Sequence, residues 1–180
     1  LNDFLQNRVK NLTEVVLDTK IENVGIIRGG DERGIANMPY TKKLKLIRHL
    51  STLDCDLVLL DLAPGASFNV VDFSIVAHKA LLVTTAEVPS LLNVYSFIKS
   101  AVFRRLTFFF KRNQSSELLT LLDKAKEADK YPHLKTMNGF FKEARRTNNV
   151  LAGSAKKILS NIKPLVIVNR VRTTKDARAG

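Results

Sequence analysis

Cysteine is nearly missing. Cys55 is the single one in 180 residues, so no internal disulfide framework can hold this fold, and stability has to come from a buried core. Lying just ahead of an apolar run, Cys55 reads as an inert core thiol. Histidine is equally sparse: His49, His78 and His133 lie far apart, with no Cys/His spacing that suggests zinc. No apolar run approaches the ~20 residues that cross a bilayer, and no charged-then-apolar leader opens the chain. The sequons Asn11-Leu-Thr13 and Asn113-Gln-Ser115 are discounted for that reason, and a cytoplasmic location is expected. No Gly/Ser- or Pro-rich linker and no internal repeat interrupts the sequence, which suits one domain with a small helical annex.

What is present is ordinary apolar content and an unusual charge. Hydrophobic residues make up 45%, enough for a real core. The formal net charge is +12, and the cations fall in groups: Lys42, Lys43, Lys45 and Arg48; Arg104, Arg105, Lys111 and Arg112; Lys142, Arg145 and Arg146; Lys156 and Lys157. Charge on that scale favours polyanions such as DNA, nucleotide or an acidic membrane surface. Solvated helix faces account for the same runs equally well.

Leu1, Phe4, Leu5 and Val9 are spaced as a short helix over 1–9. Two short strand-like runs follow, at 14–18 and 23–28, the second ended by Gly29-Gly30. Met38-Pro39 precedes a helix over about 41–53, with Leu44, Ile47, Leu50 and Leu53 as its apolar stripe and the lysines opposite. A strand over 57–61, a helix over 69–77 and a strand over 80–85 continue in the rhythm of parallel βαβ units. Pro89-Ser90 opens a long helix, with Ser90 as a candidate N-cap. Its end, Phe103 to Arg112, mixes aromatics with cations; it suits a membrane-surface stretch, or, more simply, a helix end packed under the helices that follow. Three further helices, at about 115–128, 137–147 and 150–162, precede a last strand at 165–168. The distance from Thr85 to Pro164 far exceeds an ordinary βα connection. Residues from about 111 to 162 therefore read as a helical insertion before the last strand. The expected fold is α/β: a parallel sheet of about four to five strands with flanking helices.

The chemistry centres on Leu57-Val-Leu-Leu-Asp-Leu-Ala-Pro-Gly-Ala-Ser67. An unbroken apolar run fits a strand buried on both faces, and an acid at its carboxyl end sits where open α/β sheets bind ligands. On these residues alone, Asp61 fits a turn cap as well as it fits a Mg²⁺ ligand. Asn169, at the end of the last strand, is likewise readable as a turn residue.

Taken together, Asp61-Leu-Ala-Pro-Gly-Ala-Ser-Phe-Asn-Val-Val-Asp-Phe73, Ala80-Leu-Leu-Val-Thr-Thr-Ala-Glu-Val-Pro-Ser90 and Pro164-Leu-Val-Ile-Val-Asn-Arg170 resemble the MinD/ParA family of P-loop ATPases. That family is also catalogued with the nucleotide-binding domains of cobyrinic acid a,c-diamide synthases (CobQ/CobB). The resemblance runs from about 2 to 172 and rests on the order and spacing of the three strand ends. It implies a P-loop NTPase-like sheet, ATP and Mg²⁺ as ligands, and a homodimer. It further implies a cytoplasmic protein, peripheral at the inner membrane in some relatives. By the same resemblance Asp61 holds Mg²⁺ directly or through water, Pro64 and Gly65 move with the γ-phosphate, and Asn169, with Arg170 beside it, contacts the adenine base.

The departures are as informative. The family's phosphate loop combines glycines with Lys and Ser/Thr; Gly29-Gly-Asp-Glu-Arg-Gly34 has the glycines, but Ile35 and Ala36 stand where those two residues belong. The family's upstream Asp and the C-terminal amphipathic helix of MinD proper have no counterpart, and His78-Lys79 replaces an acidic position. The chain, which opens on Leu1, resembles a piece of a larger ATPase, inactive in hydrolysis alone. The expected function is part of an ATP-dependent dimerising switch for placing a flagellum, division site or chromosome. The alternatives are a non-enzymatic module that binds nucleic acid or a protein partner, and a cobyrinic acid diamide synthase-like amidoligase. The last needs a Cys nucleophile, a role Cys55 does not suit.

Overall fold

The computed structural model describes residues 1–29 and 38–171. The chain divides into two compact units, Leu1–Ala63 and Pro64–Gly180. The Gly29–Gly34 loop, apart from Gly29, lies outside the described residues.

The first unit is small. Helix α1 (Asn2–Leu5) stops where Asn7 takes a φ of 60°, so the expected helix over 1–9 is cut to one turn. A 3₁₀ turn at Leu12–Val15 follows, and the Glu14 carboxylate accepts from the backbone N–H of Asn11 at 2.7 Å. Strands β1 (Leu17–Asp18) and β2 (Gly25–Ile26) pair antiparallel. The 23–28 run was expected in the parallel sheet, and a local hairpin takes it instead. Thr19 closes that hairpin, its hydroxyl donating to the carbonyls of Ile21 and Val24. A neighbouring antiparallel strand needs only a short turn, whereas a parallel partner needs a long crossover.

Helix α2 (Tyr40–Leu50) forms but ends three residues short of the expected 53, and its inward face differs. Leu46 and Lys43 are its buried residues, while Leu44, Ile47 and Leu50 are half-buried. Lys45 is not on a solvated face either. Its ammonium sits 4.2 Å from the centroid of the buried Phe4 ring and donates to the Phe4 carbonyl and the Asn7 side chain. A lysine stem can line an apolar surface while its head finds oxygens.

The run 57–61 forms no strand. Among the described residues it joins no ladder, and Leu57 and Leu59 are 80% and 78% exposed. A strand is stabilised by pairing and by cover on its faces, and an apolar run supplies neither by itself. Cys55 is correspondingly exposed; the expectation of a core thiol depended on the strand behind it.

The second unit holds the parallel pair. Helix α3 (Phe68–Val76) leads into strand β3 (Leu81–Thr85). The long helix α4 (Val88–Arg112), with Pro89 in its first turn, packs on both. It starts two residues before Ser90, so Ser90 is not its cap; the Ser90 hydroxyl accepts from that of Thr85 at 2.9 Å. Helices α5 (Ser116–Lys126), α6 (Met137–Thr147) and α7 (Asn149–Ser160) complete the insertion before strand β4 (Leu165–Asn169). β4 pairs parallel with β3, Leu81 opposite Leu165 and Thr85 opposite Asn169. Among the described residues the fold is therefore mixed α/β, mostly helical, with two small sheets of which one is parallel. The expected four to five parallel strands are two among the described residues.

The core of this unit lies in the insertion. Leu106 and Phe110 of α4 meet Leu118, Leu122, Leu134, Phe140, Phe141 and the alanines Ala125, Ala144, Ala152 and Ala155 of α5 to α7, all buried. The aromatic–cationic stretch 103–112 is thus a packed helix end. Thr136 and Asn148 cap α6 and α7, accepting from the N–H groups of Gly139 and Leu151, which fixes where each helix starts.

Two glycines in neighbouring helices give opposite expectations. A Cβ on Gly139 would lie 2.0 Å from the backbone oxygen of His133, whereas one on Gly153 would meet nothing within 4 Å. Gly139→Ala is expected to destabilise by about 1–3 kcal/mol through overpacking. Gly153→Ala should stabilise by about 0.5–1 kcal/mol, the helix-interior advantage of Ala. Thermal melts check this, and equal melting temperatures for the two variants would contradict the seating of α6 against 133.

Candidate nucleotide site

A parallel pair presents the carboxyl ends of its strands on one side. Here that end carries Thr84-Thr85 and Asn169-Arg170, with Thr85 and Asn169 directly opposite in register. Thr85 is held by its bond to Ser90 in the first turn of α4. Asn169 is exposed, and its Oδ1 accepts from the Arg170 N–H at 2.8 Å. Arg170 takes a left-handed φ of 56°, which turns the chain away at the strand end. The Asn169 Nδ2 is left as a free donor among the described residues, beside an oxygen with one lone pair in use. That set can address the edge of a base.

Asp61, Pro64 and Gly65 are exposed. Asp61 ends the first unit's unladdered run, and among the described residues its carboxylate has no hydrogen bond or ion pair. Gly65 has a φ of 99°. With Pro64 before it, this fits the second central position of a tight turn, which rejects a side chain. The structure therefore brings Thr85 and Asn169 together, and Pro64 and Gly65 in one bend; Asp61 and Asn169 belong to different units.

Among the described residues no three His, Cys, Asp or Glu side chains gather to hold a metal. A Mg²⁺ bound with nucleotide needs only one or two carboxylates, because phosphates and waters supply the rest. A lone, unengaged Asp61 meets that requirement. No helix among the described residues is long and apolar enough to cross a membrane.

Neither of two cavities lined by described residues touches these residues. One, of about 130 Å³, is lined by Ala80 and Pro164 at the amino ends of β3 and β4, with Ile75, Phe97, Ile98 and Arg105. The other, of about 180 Å³, lies in the first unit by Leu12 and His49. No family model matches the chain. No curated protein and no solved structure matches it either.

The feature that sequence reasoning passed over is a buried ion pair. The Arg104 guanidinium forks onto the Asp72 carboxylate at 2.7 and 2.9 Å, joining α4 to α3. The same guanidinium lies over the rings of Phe68 and Phe108, 4.9 and 4.5 Å from their centroids, and Arg105 donates to the carbonyl of Ile75. The signal was legible: Asp72 is the single charge in the Phe68–Val76 helix.

Proposed function

We propose that this chain is the Mg²⁺-side and base-side part of a MinD/ParA-type nucleotide switch, with a P-loop NTPase-like parallel sheet in the complete protein. The observation that carries this reading is the parallel pair β3–β4 with Thr85 and Asn169 level at its carboxyl ends. Ligands of open α/β sheets bind outside that end. The motifs of the resemblance add Asp61 and the Pro64-Gly65 turn.

In this reading Asn169 orients the adenine base, its free Nδ2 donating and its Oδ1 accepting, with Arg170 flanking it. Asp61 holds Mg²⁺, which supplies charge neutralisation on the phosphates during transfer to water. The Pro64-Gly65 turn follows the presence or loss of the γ-phosphate. ATP closes a homodimer and hydrolysis opens it, in the cytoplasm or at the inner membrane surface. The sequence has no Lys-containing phosphate loop, so this chain by itself is expected to bind ATP weakly and not to turn it over. The amidoligase alternative gains nothing, since no hydrogen bond from the Cys55 side chain to a base is present among the described residues to activate it.

The test uses a longer form of the protein that carries a phosphate loop. Asn169→Ala should reduce its preference for ATP over GTP roughly ten- to a hundredfold, the scale of about 1–3 kcal/mol for a lost base contact. An unchanged preference would remove Asn169 from the base pocket.

A further inference from the structure

The pair β3–β4 has two ends, and the candidate nucleotide site uses one of them. At the other, Ala80 and Pro164 meet helices α3 and α4 around the cavity of about 130 Å³. Both strands have five residues, about 15 Å at ~3.3 Å per residue. An occupant of this cavity therefore does not compete with one beside Asn169.

The lining of the cavity is chemically one-sided. Three basic side chains border it, His78, Arg105 and Lys163, and none of its lining residues is Asp or Glu. Part of this has a local cause. Helix α3 ends at Val76 and α7 at Ser160, and helix carboxyl ends attract positive charge. Arg105 answers the first of them, its guanidinium donating to the Ile75 carbonyl at 2.9 Å. That bond uses one of five N–H donors and steers the fork. Among the described residues Arg105 has no other hydrogen bond or ion pair from its side chain, and those of His78 and Lys163 have none. Capping of α3 thus accounts for one donor and leaves the rest of the set unmatched.

The remaining walls are largely apolar, with Ile75, Phe97, Ile98 and Pro164. Ligand pockets combine such walls with a few polar groups that orient the ligand. Size narrows the choice further. A cavity of about 150 Å³ holds benzene, so this one, at about 130 Å³, takes a ligand of about six non-hydrogen atoms. An inorganic phosphate would engage the basic side and leave the apolar wall without a partner. A carboxylate forks onto a guanidinium, and a short alkyl tail covers the wall. We infer that this cavity binds a small aliphatic monocarboxylate, its oxygens on Arg105 and Lys163 and its alkyl end against Phe97 and Ile98. The inference does not rest on the nucleotide reading.

The experiment titrates butyrate into the full ¹⁵N-labelled chain at constant ionic strength and follows the amide resonances. The expected Kd is about 1 mM, which for six atoms lies between the efficiencies of the best tiny ligands and of drug-sized ones. The shifts should centre on Phe97, Ile98 and Ile162 and leave Asn169 still. Butyramide has the same shape without the charge, and it should bind at least about tenfold more weakly. Inorganic phosphate should also bind more weakly than butyrate. Arg105→Gln should weaken butyrate at least about tenfold. Lys163 is exposed, so Lys163→Gln keeps the fold and carries the test should loss of the Ile75 bond unfold the Arg105 variant. It should weaken butyrate about three- to fivefold. Lys142→Gln on α6 removes the same charge away from the lining and should leave the Kd within about 1.5-fold. Circular dichroism checks that each variant is folded. No saturable shift in the parent chain, equal affinity for butyrate and butyramide, or tighter binding of phosphate would each overturn the inference. So would equal Kd values for the Lys163 and Lys142 variants.

Discussion

Replacing Arg104 by Ala is expected to lower the stability of the second unit by about 3–5 kcal/mol. The Asp72 side chain is 6% exposed and that of Arg104 26%, so removing the guanidinium takes both bonds of the fork from a carboxylate in a largely dry place. Two ring contacts at 4.9 and 4.5 Å are lost as well. The partial exposure of Arg104 places the loss toward the lower end of the range. Arg104→Lys should recover only part of it, because an ammonium cannot make the two parallel bonds of the fork. The pair is not indispensable in itself: Asp72→Leu combined with Arg104→Met should come back close to the parent protein, since well-packed apolar side chains commonly replace a buried pair at little cost. Urea unfolding followed by circular dichroism reads all four proteins. A parent-like midpoint for Arg104→Ala would mean that this pair does not fasten α3 to α4.

The helices were legible because their information is local. The Phe140, Phe141, Ala144 face with a Thr before it marks α6 from Met137 to Thr147, the span the spacing predicts. The 111–162 insertion follows from nothing more than the length between two strand-like runs. Strands are another matter, because a strand is completed by a partner distant in sequence. The runs at 81–85 and 165–169 find each other; 57–60, the most apolar of the three, finds no partner among the described residues, and Leu57 and Leu59 stand in solvent. The parallel pair itself keeps Leu81, Val83, Leu165 and Ile167 exposed on one face, where parallel sheets are ordinarily covered.

Charge was legible in total and not in placement. Lys43 and Lys45 sit in what the pattern marks as a solvated face, yet one is buried and the other lies over Phe4. Arg104 and Arg105 were grouped with the surface cations, yet both are tied to α3. The cations of α6 and α7 do stand in solvent. Which lysine is surface and which is structure depends on a ring or a carbonyl tens of residues away, and no window along the chain contains both.

For the candidate site, the strand-end residues Thr85 and Asn169 were readable because a strand end is a local break, and the parallel register sets them level. The role of Asp61 rests on its motif and on the freedom of its carboxylate. It is also the most consequential residue in the proposed switch, because charge neutralisation at the phosphates is the largest part of phosphoryl transfer. The measurement is steady-state ATP turnover with Mg²⁺ by a longer form of the protein that carries a phosphate loop, beside its Asp61→Ala variant. Asp61 is exposed and has no bond among the described residues, so the variant should fold normally and keep its melting temperature. The account predicts turnover at least about a hundredfold lower in the variant, equivalent to about 3 kcal/mol at the transition state. Turnover equal to that of the unaltered protein would contradict it.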